Sequence, residues 1–141
     1  DCVEEALCFG WIDSIVKAYD ADTSAQRFSR RKSKNTFSQQ NRERLAWLMA
    51  HNQIHPSLID EIKPILAENF IFPDDILSAI QSKPTAWEYY QAFSPAYQRI
   101  RIAYINTARK RPEEFERRLA NFIKKTEQNK QIGFGGIDKY F

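Results

Sequence analysis

The sequence predicts a mainly helical α+β domain, with one β-hairpin near the N-terminus and five or six helices after it. Three observations carry this. Residues 11–31 hold two short runs with β-type alternation, separated by a polar turn. From residue 38 onward, apolar residues recur at helical spacing. All six prolines lie in that second part, and most sit where a helix would begin.

Residues 2–9 read as the end of a helix, with Val3, Ala6 and Leu7 on its inner face and Gly10 as its stop. From Trp11 to Tyr19, Ile12, Val16 and Ala18 alternate with Asp13 and Lys17, as in a strand with one apolar face. Asp20, Asp22, Thr23 and Ser24 make the turn. Gln26 to Arg31 returns as a second strand, with Arg27, Ser29 and Arg31 on one face and Phe28 and Arg30 on the other. Ser38 caps a helix reaching about Asn52, preceded by Phe37, with Leu45, Leu48, Met49 and Asn52 as its inner stripe. Pro56 opens a short helix with Leu58, Ile59, Ile62 and Leu66 inside, strained by Pro64. Pro73, Asp74 and Asp75 start another over Ile76, Leu77 and Ile80. Pro84 starts an aromatic helix with Trp87, Tyr90 and Phe93. Ser94-Pro95 caps the next, which carries Tyr97, Ile100, Tyr104, Ile105 and Ala108. Pro112 opens the last, with Phe115, Leu119, Phe122, Ile123 and Thr126 as its stripe and Gly133, Gly135 and Gly136 as its end. A single domain over residues 1–141 is expected: helix end and hairpin over 1–37, helices over 38–132, and a loose tail over 133–141.

Apolar residues make up 43% of the 141-residue chain and charged residues 28%, which excludes a disordered or collagen-like chain. Two cysteines are too few for a disulfide framework. Cys2 and Cys8, six residues apart on one helix, face different ways, so buried free thiols are expected. That suits a reducing compartment, and a cytoplasmic location is expected. No apolar run approaches the roughly 20 residues of a membrane span, and no signal-peptide pattern is visible.

Charge alternates along the chain. Residues 1–21 carry five acids and one base, 22–47 two acids and seven bases, 48–98 six acids and two bases, and 99–130 four acids and ten bases. The basic blocks either pair with the acidic ones or converge on an anionic ligand. The densest block is QRFSRRKSKNTFSQQNRER, residues 26–44. Arginine forks match phosphate and carboxylate geometry, and the helix start at Ser38 offers free N–H groups. Against this stands a plain solvated charged face. The candidate ligand residues are Arg27, Arg30, Arg31, Lys34, Asn41 and Arg44, with Trp11 and Asp13 beside them. Asp13 either makes a structural ion pair with Arg27 or Arg31 across the hairpin or orients an arginine in the site.

Other constellations are weaker. His51 and His55 have metal-like spacing, but Pro56 turns His55 out of the helix and no Glu follows His51; no metal site is assigned. Asp74/Asp75 and Glu113/Glu114 suit helix starts better than acid–base chemistry. The GFGG run lacks the strand and helix that a phosphate loop needs. The Trp87–Phe93 aromatics suit a core better than base stacking.

The segments EALCFGWIDS (residues 5–14) and 26–44 resemble the YdeI/OmpD-associated family, also called bacteriocin-protection proteins. Arg27, Phe28, Arg30, Arg31, Asn35, Ser38, Asn41 and Arg44 fall on the family pattern, while Ser29 stands where the family usually has Pro and Phe37 where it usually has Trp. The later FPDDILSAIQSKPTAWEYYQAFSPAYQRIRIAYINTARKRPEEFERRLANFI run matches in layout, so the resemblance extends over nearly the whole chain. It implies a bacterial stress-related or bacteriocin-protection role, and no defined catalytic mechanism. It also implies that relatives carry a further N-terminal β segment. A hairpin without that neighbour is expected to be the weakest part of the fold, because isolated two-stranded pairs are marginal.

The expected function is therefore non-enzymatic binding of an anionic ligand or partner, phosphate- or carboxylate-bearing and nucleic acid included, with no cofactor. The alternative is an enzyme with a pocket formed by Trp11, Asp13 and the arginine cluster.

Overall fold

The computed structural model describes residues 2–31 and 37–133. Two compact units emerge from the contacts, residues 1–68 and 69–141. Lys32, Lys34, Asn35 and the tail beyond Gly133 lie outside the described residues.

In the first unit, helix α1 (Cys2–Cys8) runs into Gly10, whose φ of 74° is left-handed. That residue turns the chain directly from helix into strand β1 (Trp11–Ala18), and β2 (Ser24–Arg30) returns antiparallel to it. The turn between them is the expected one: Asp20 Oδ1 accepts from the N–H groups of Asp22 and Thr23 at 3.0 and 2.8 Å. Pairing is regular from Trp11↔Arg30 to Asp13↔Phe28, then breaks and resumes at Val16↔Gln26. Three steps on β1 thus face two on β2, a β-bulge at Ser14–Ile15. The expected apolar face of β1 is not buried: Val16 is 62% exposed and Ile15 49%. Beyond Asp13 both faces of the strand are exposed, and only Ile12 and Asp13 are half-buried.

Helix α2 (Gln39–Ala50) starts as expected, with Ser38 Oγ accepting from Asn41 N–H at 3.3 Å. Its end differs. Asn52 was expected on the inner stripe but is exposed and left-handed at φ 56°. There it closes a Schellman motif, with Asn52 N–H bonded to Met49 C=O and Gln53 N–H to Leu48 C=O. A 3-10 turn (Pro56–Leu58) then leads into α3 (Ile59–Ala67), which contains Pro64 and buries Ile62 and Ile65. Leu7, Cys8, Leu45, Leu48, Ile54 and Ile62 form the core of this unit. The inner face of α1 is Glu4, Leu7 and Cys8 rather than Val3, Ala6 and Leu7, and Val3 and Ala6 are only half-buried. Cys2 is exposed, not buried as expected, because it opens the helix on the opposite side from Leu7.

The second unit is wholly helical among the described residues: α4 (Asp74–Gln81), α5 (Pro84–Ala92), α6 (Pro95–Asn106) and α7 (Pro112–Glu127). Pro84, Pro95 and Pro112 each occupy a first helical turn, where no N–H is needed. Ser94 caps α6 through Tyr97 N–H at 3.2 Å. The core holds Ile76, Ile80, Ala86, Tyr90, Phe93, Tyr97, Ile102, Ile105, Leu119 and Phe122. Asn129, at φ 52°, ends α7 with a second Schellman motif, so the helix stops before the glycines expected to end it. No helix among the described residues is long and apolar enough to cross a membrane.

Candidate functional site

The expected basic block separates into two groups in the first unit. The first lines a cavity of about 350 Å³ formed by Leu7, Phe9, Gly10, Trp11, Arg30, Arg31, Phe37, Ser57, Leu58, Glu61 and Ile62. Gly10 makes this wall: its C=O accepts from Arg31 N–H at 3.2 Å, and a Cβ there would stand 3.3 Å from Leu58 Cδ2. The Arg31 guanidinium lies over the Phe37 ring, 3.4 Å from its centroid. Its Nε and Nη2 atoms are buried and have no hydrogen-bond partner among the described residues. Burial pushes the Arg31 pKa down, Glu61 opposes that, and Arg42 adds to it. Phe37 therefore has a positioning role that the sequence suggested only as helix-entry packing.

The second group is a chain of hydrogen bonds tying the hairpin to α2. Gln26 Nε2 donates to Asp13 Oδ2 and Asn41 Nδ2 to Asp13 Oδ1, both at 3.4 Å. Arg44 Nη1 donates to Asn41 Oδ1 at 3.0 Å, with Asn41 and Arg44 both buried. The two polar groups that Asp13 meets among the described residues are thus Gln26 and Asn41, not Arg27 or Arg31. The bulge after Asp13 explains this, because it leaves Asp13 opposite Phe28 and turned toward α2.

Of the sequence-derived candidates, the cavity brings together Trp11, Arg30 and Arg31. Asp13, Asn41 and Arg44 belong to the anchoring chain. Arg27 is exposed and does not line the cavity, and Lys34 lies outside the described residues. Arg42, another member of the basic block, is held elsewhere: its Nη1 donates to Ile65 C=O at 3.1 Å and meets Glu68 at 2.8 Å. Glu61 and Leu58 were missed. The sequence placed them on a separate helix, and nothing local in it signals that this helix closes the cavity.

The remaining candidates have structural roles. His51 stacks on Trp47 at 3.8 Å and its Nδ1 contacts Trp47 C=O at 2.8 Å. His55 caps the 3-10 turn through Ser57. Burial, then Glu5 and Glu4, push the Cys8 thiol pKa up, away from thiolate reactivity. Asp75 is bound by Arg109 at 2.8 and 3.0 Å, and Glu114 by Arg117 and Arg118 at 2.6 Å each. Trp87 and Tyr90 stack at 5.4 Å in the core of the second unit.

Residues 69–129 match the family described as bacteriocin-protection, YdeI or OmpD-associated. Residues 1–61 match a second family, a domain of unknown function (DUF8412). The family resemblance read from the sequence thus holds for the second half, and the 5–14 and 26–44 segments fall under the other family. The two matches divide where the two compact units divide. No curated protein and no solved structure matches the chain.

Proposed function

We propose that the N-terminal unit is a non-enzymatic binding module for a small organic anion, joined to a bacteriocin-protection-type unit in a bacterial, cytoplasmic protein. The observation that carries this is Arg31: a stacked guanidinium in a cavity, with two buried nitrogens that have no hydrogen-bond partner among the described residues. A guanidinium fork without an acceptor fits a carboxylate or phosphate, because donors left unmade when buried cost more than those satisfied. The cavity falls at the lower end of the roughly 300–1,000 Å³ typical of small-molecule sites. Trp11, Phe9, Phe37 and Leu58 give it apolar walls. The ligand is therefore an anion with a short apolar body, rather than a nucleic-acid backbone. Glu61 on the wall leaves a net charge of one with Arg30 and Arg31, which favours a monoanion or a small phosphate ester.

Asp13 does not line this cavity, so the alternative pocket in which a carboxylate works beside the arginines has no support from the described residues. The test is titration of the full chain with benzoate, phenyl phosphate, inorganic phosphate and a short oligonucleotide at fixed ionic strength. Benzoate or phenyl phosphate should bind and the affinity should fall about tenfold or more in Arg31→Gln, since one charge-assisted bond is worth about 1.5–3 kcal/mol. Binding of the oligonucleotide alone, unaffected by Arg31→Gln and weakened by Arg27→Gln, would instead favour an open basic face.

A further inference from the structure

The anion cavity of the first unit has an apolar neighbour. Cys2, Glu5, Ala6, Phe9, Trp11 and Phe28 line an open groove of about 390 Å³, and the surface they offer it is apolar. Helix α1 supplies one side by its period. Cys2, Glu5, Ala6 and Phe9 stand at i, i+3, i+4 and i+7, so they share one helix face, and Phe9 N–H still bonds Ala6 C=O at 3.2 Å just past the end of α1. This is not the face that α1 buries, which carries Glu4, Leu7 and Cys8. The hairpin supplies the other side by its register. Trp11 pairs with Arg30, and Phe28 is the next residue of β2 on the Arg30 side of the sheet, so the three share one face.

Phe9 and Trp11 line both the groove and the cavity of Arg30 and Arg31. The two spaces therefore meet at these rings. Phe9 is 55% exposed and Trp11 38%. A single exposed ring is ordinary, but two that join a cationic cavity to an apolar groove make one continuous amphipathic surface. Charge gives that surface a direction. Arg30 and Arg31 outweigh Glu61 at the cavity end, whereas Glu5 is the charged residue that lines the groove among the described residues. A carboxylate is favoured at the first end and disfavoured at the second.

We propose that the groove receives the alkyl tail of a monocarboxylate whose head group is held at Arg31, so that the ligand class is a medium-chain fatty acid. This rests on the reading of Arg31 as an anion site and extends it. The part of the ligand next to the head is the short apolar body that the cavity accommodates. The tail then passes Phe9 and Trp11 and lies against Ala6 and Phe28. From Phe9 to Cys2 the helix face runs about 10 Å, at about 1.5 Å per residue, which sets the reach of the tail beyond the cavity. A sugar or nucleoside would bring polar groups onto a surface that offers them no partner.

The test is calorimetric titration of the full chain with butyrate, hexanoate and octanoate at constant ionic strength. Benzoate is the cavity probe and octanamide the uncharged control. Affinity should rise along the acid series, about fourfold per methylene where it is fully buried and about twofold where one side faces solvent. Phe28 and Ala6 line the groove and not the cavity. Phe28→Ala should weaken octanoate several-fold. Ala6→Gln, which fills the groove with a side chain that helices accommodate, should do the same. Benzoate should bind both variants as it binds the parent chain. Equal affinity from butyrate to octanoate, or a rise that persists in both variants, overturns the proposal, and benzoate binding then leaves the anion reading standing. Octanamide binding as tight as octanoate, with benzoate affinity unchanged in Arg31→Gln, overturns both. Dimerisation in sedimentation that is lost in Phe28→Ala and unaffected by octanoate makes a second copy the occupant and also overturns the proposal.

Discussion

Asn41→Ala tests whether the Gln26–Asp13–Asn41–Arg44 chain anchors the hairpin. The side chain is 6% exposed and makes two contacts of unequal quality. Its Oδ1 accepts from the buried Arg44 guanidinium at 3.0 Å, a good charge-assisted bond. Its Nδ2 reaches Asp13 at 3.4 Å, a long one. Truncation removes one charge-assisted acceptor of a buried cation, a change worth about 1.5–3 kcal/mol. The longer bond adds at most about 0.5–1 kcal/mol. The Asn41 N–H to Ser38 cap is backbone and survives. The expected loss is therefore about 2–4 kcal/mol, while Asp13→Ala, which removes only the long contacts, loses about 1 kcal/mol or less. Urea unfolding, followed at α2 amides by NMR, measures both. Equal losses for the two variants, or a loss below about 0.5 kcal/mol for Asn41→Ala, would refute the anchoring role.

Further outcomes follow from single features. Gly10→Ala should cost about 1–2 kcal/mol from its left-handed backbone, with the Leu58 contact adding to that, and thermal melts of the variant measure it. Glu61→Gln should tighten benzoate binding several-fold by removing the one acid that lines the cavity among the described residues, and unchanged affinity would place the anion elsewhere. Ser94→Ala should destabilise α6 by about 1 kcal/mol, measurable by urea unfolding. Arg118, then Arg117, hold the Glu114 carboxyl below its ordinary 4.5. A lowered folded pKa gives stability that is present above the unfolded value and lost as pH falls through the folded one. Glu114→Gln should therefore destabilise at neutral pH and converge on the parent protein in acid, and a constant difference across pH would contradict the ion pair. Hairpin amides from Ile12 to Ala18 should exchange faster than those of α7, since most of that strand is exposed.

Where the chain is punctuated, the sequence was readable. Ser38, Ser94 and the prolines at helix starts satisfy or remove orphan N–H groups by local chemistry alone, so those boundaries were legible. So was the Asp20 turn, which needs only backbone two and three residues on. The failures are tertiary. The bulge at Ser14–Ile15 follows from how β1 meets β2, and no local pattern announces it. Asn52 and Asn129 read as ordinary polar residues, yet each closes a helix in a left-handed conformation.

The site was legible in composition but not in grouping. Trp11 and Arg31, both named as ligand candidates, line one cavity, while Asn41 and Arg44, named with them, are buried in the hydrogen-bond chain that ties the hairpin to α2. Arg101 shows the same limit. The stripe drawn on α6 omits Arg101 and includes Tyr104, yet Arg101 is 2% exposed and Tyr104 40%, with the Tyr97 and Tyr104 rings 5.7 Å from the Arg101 guanidinium.

The central claim is that Arg31 receives a small organic anion, and one NMR titration tests it most directly. Phenyl phosphate is added to the full chain at constant ionic strength while the Arg31 Nε–H signal is followed. The account predicts a saturable shift at Arg31, accompanied by the Trp11 indole, that Arg31→Gln abolishes at Trp11. A Trp11 response that persists in Arg31→Gln, or no saturable shift at Arg31, would contradict it.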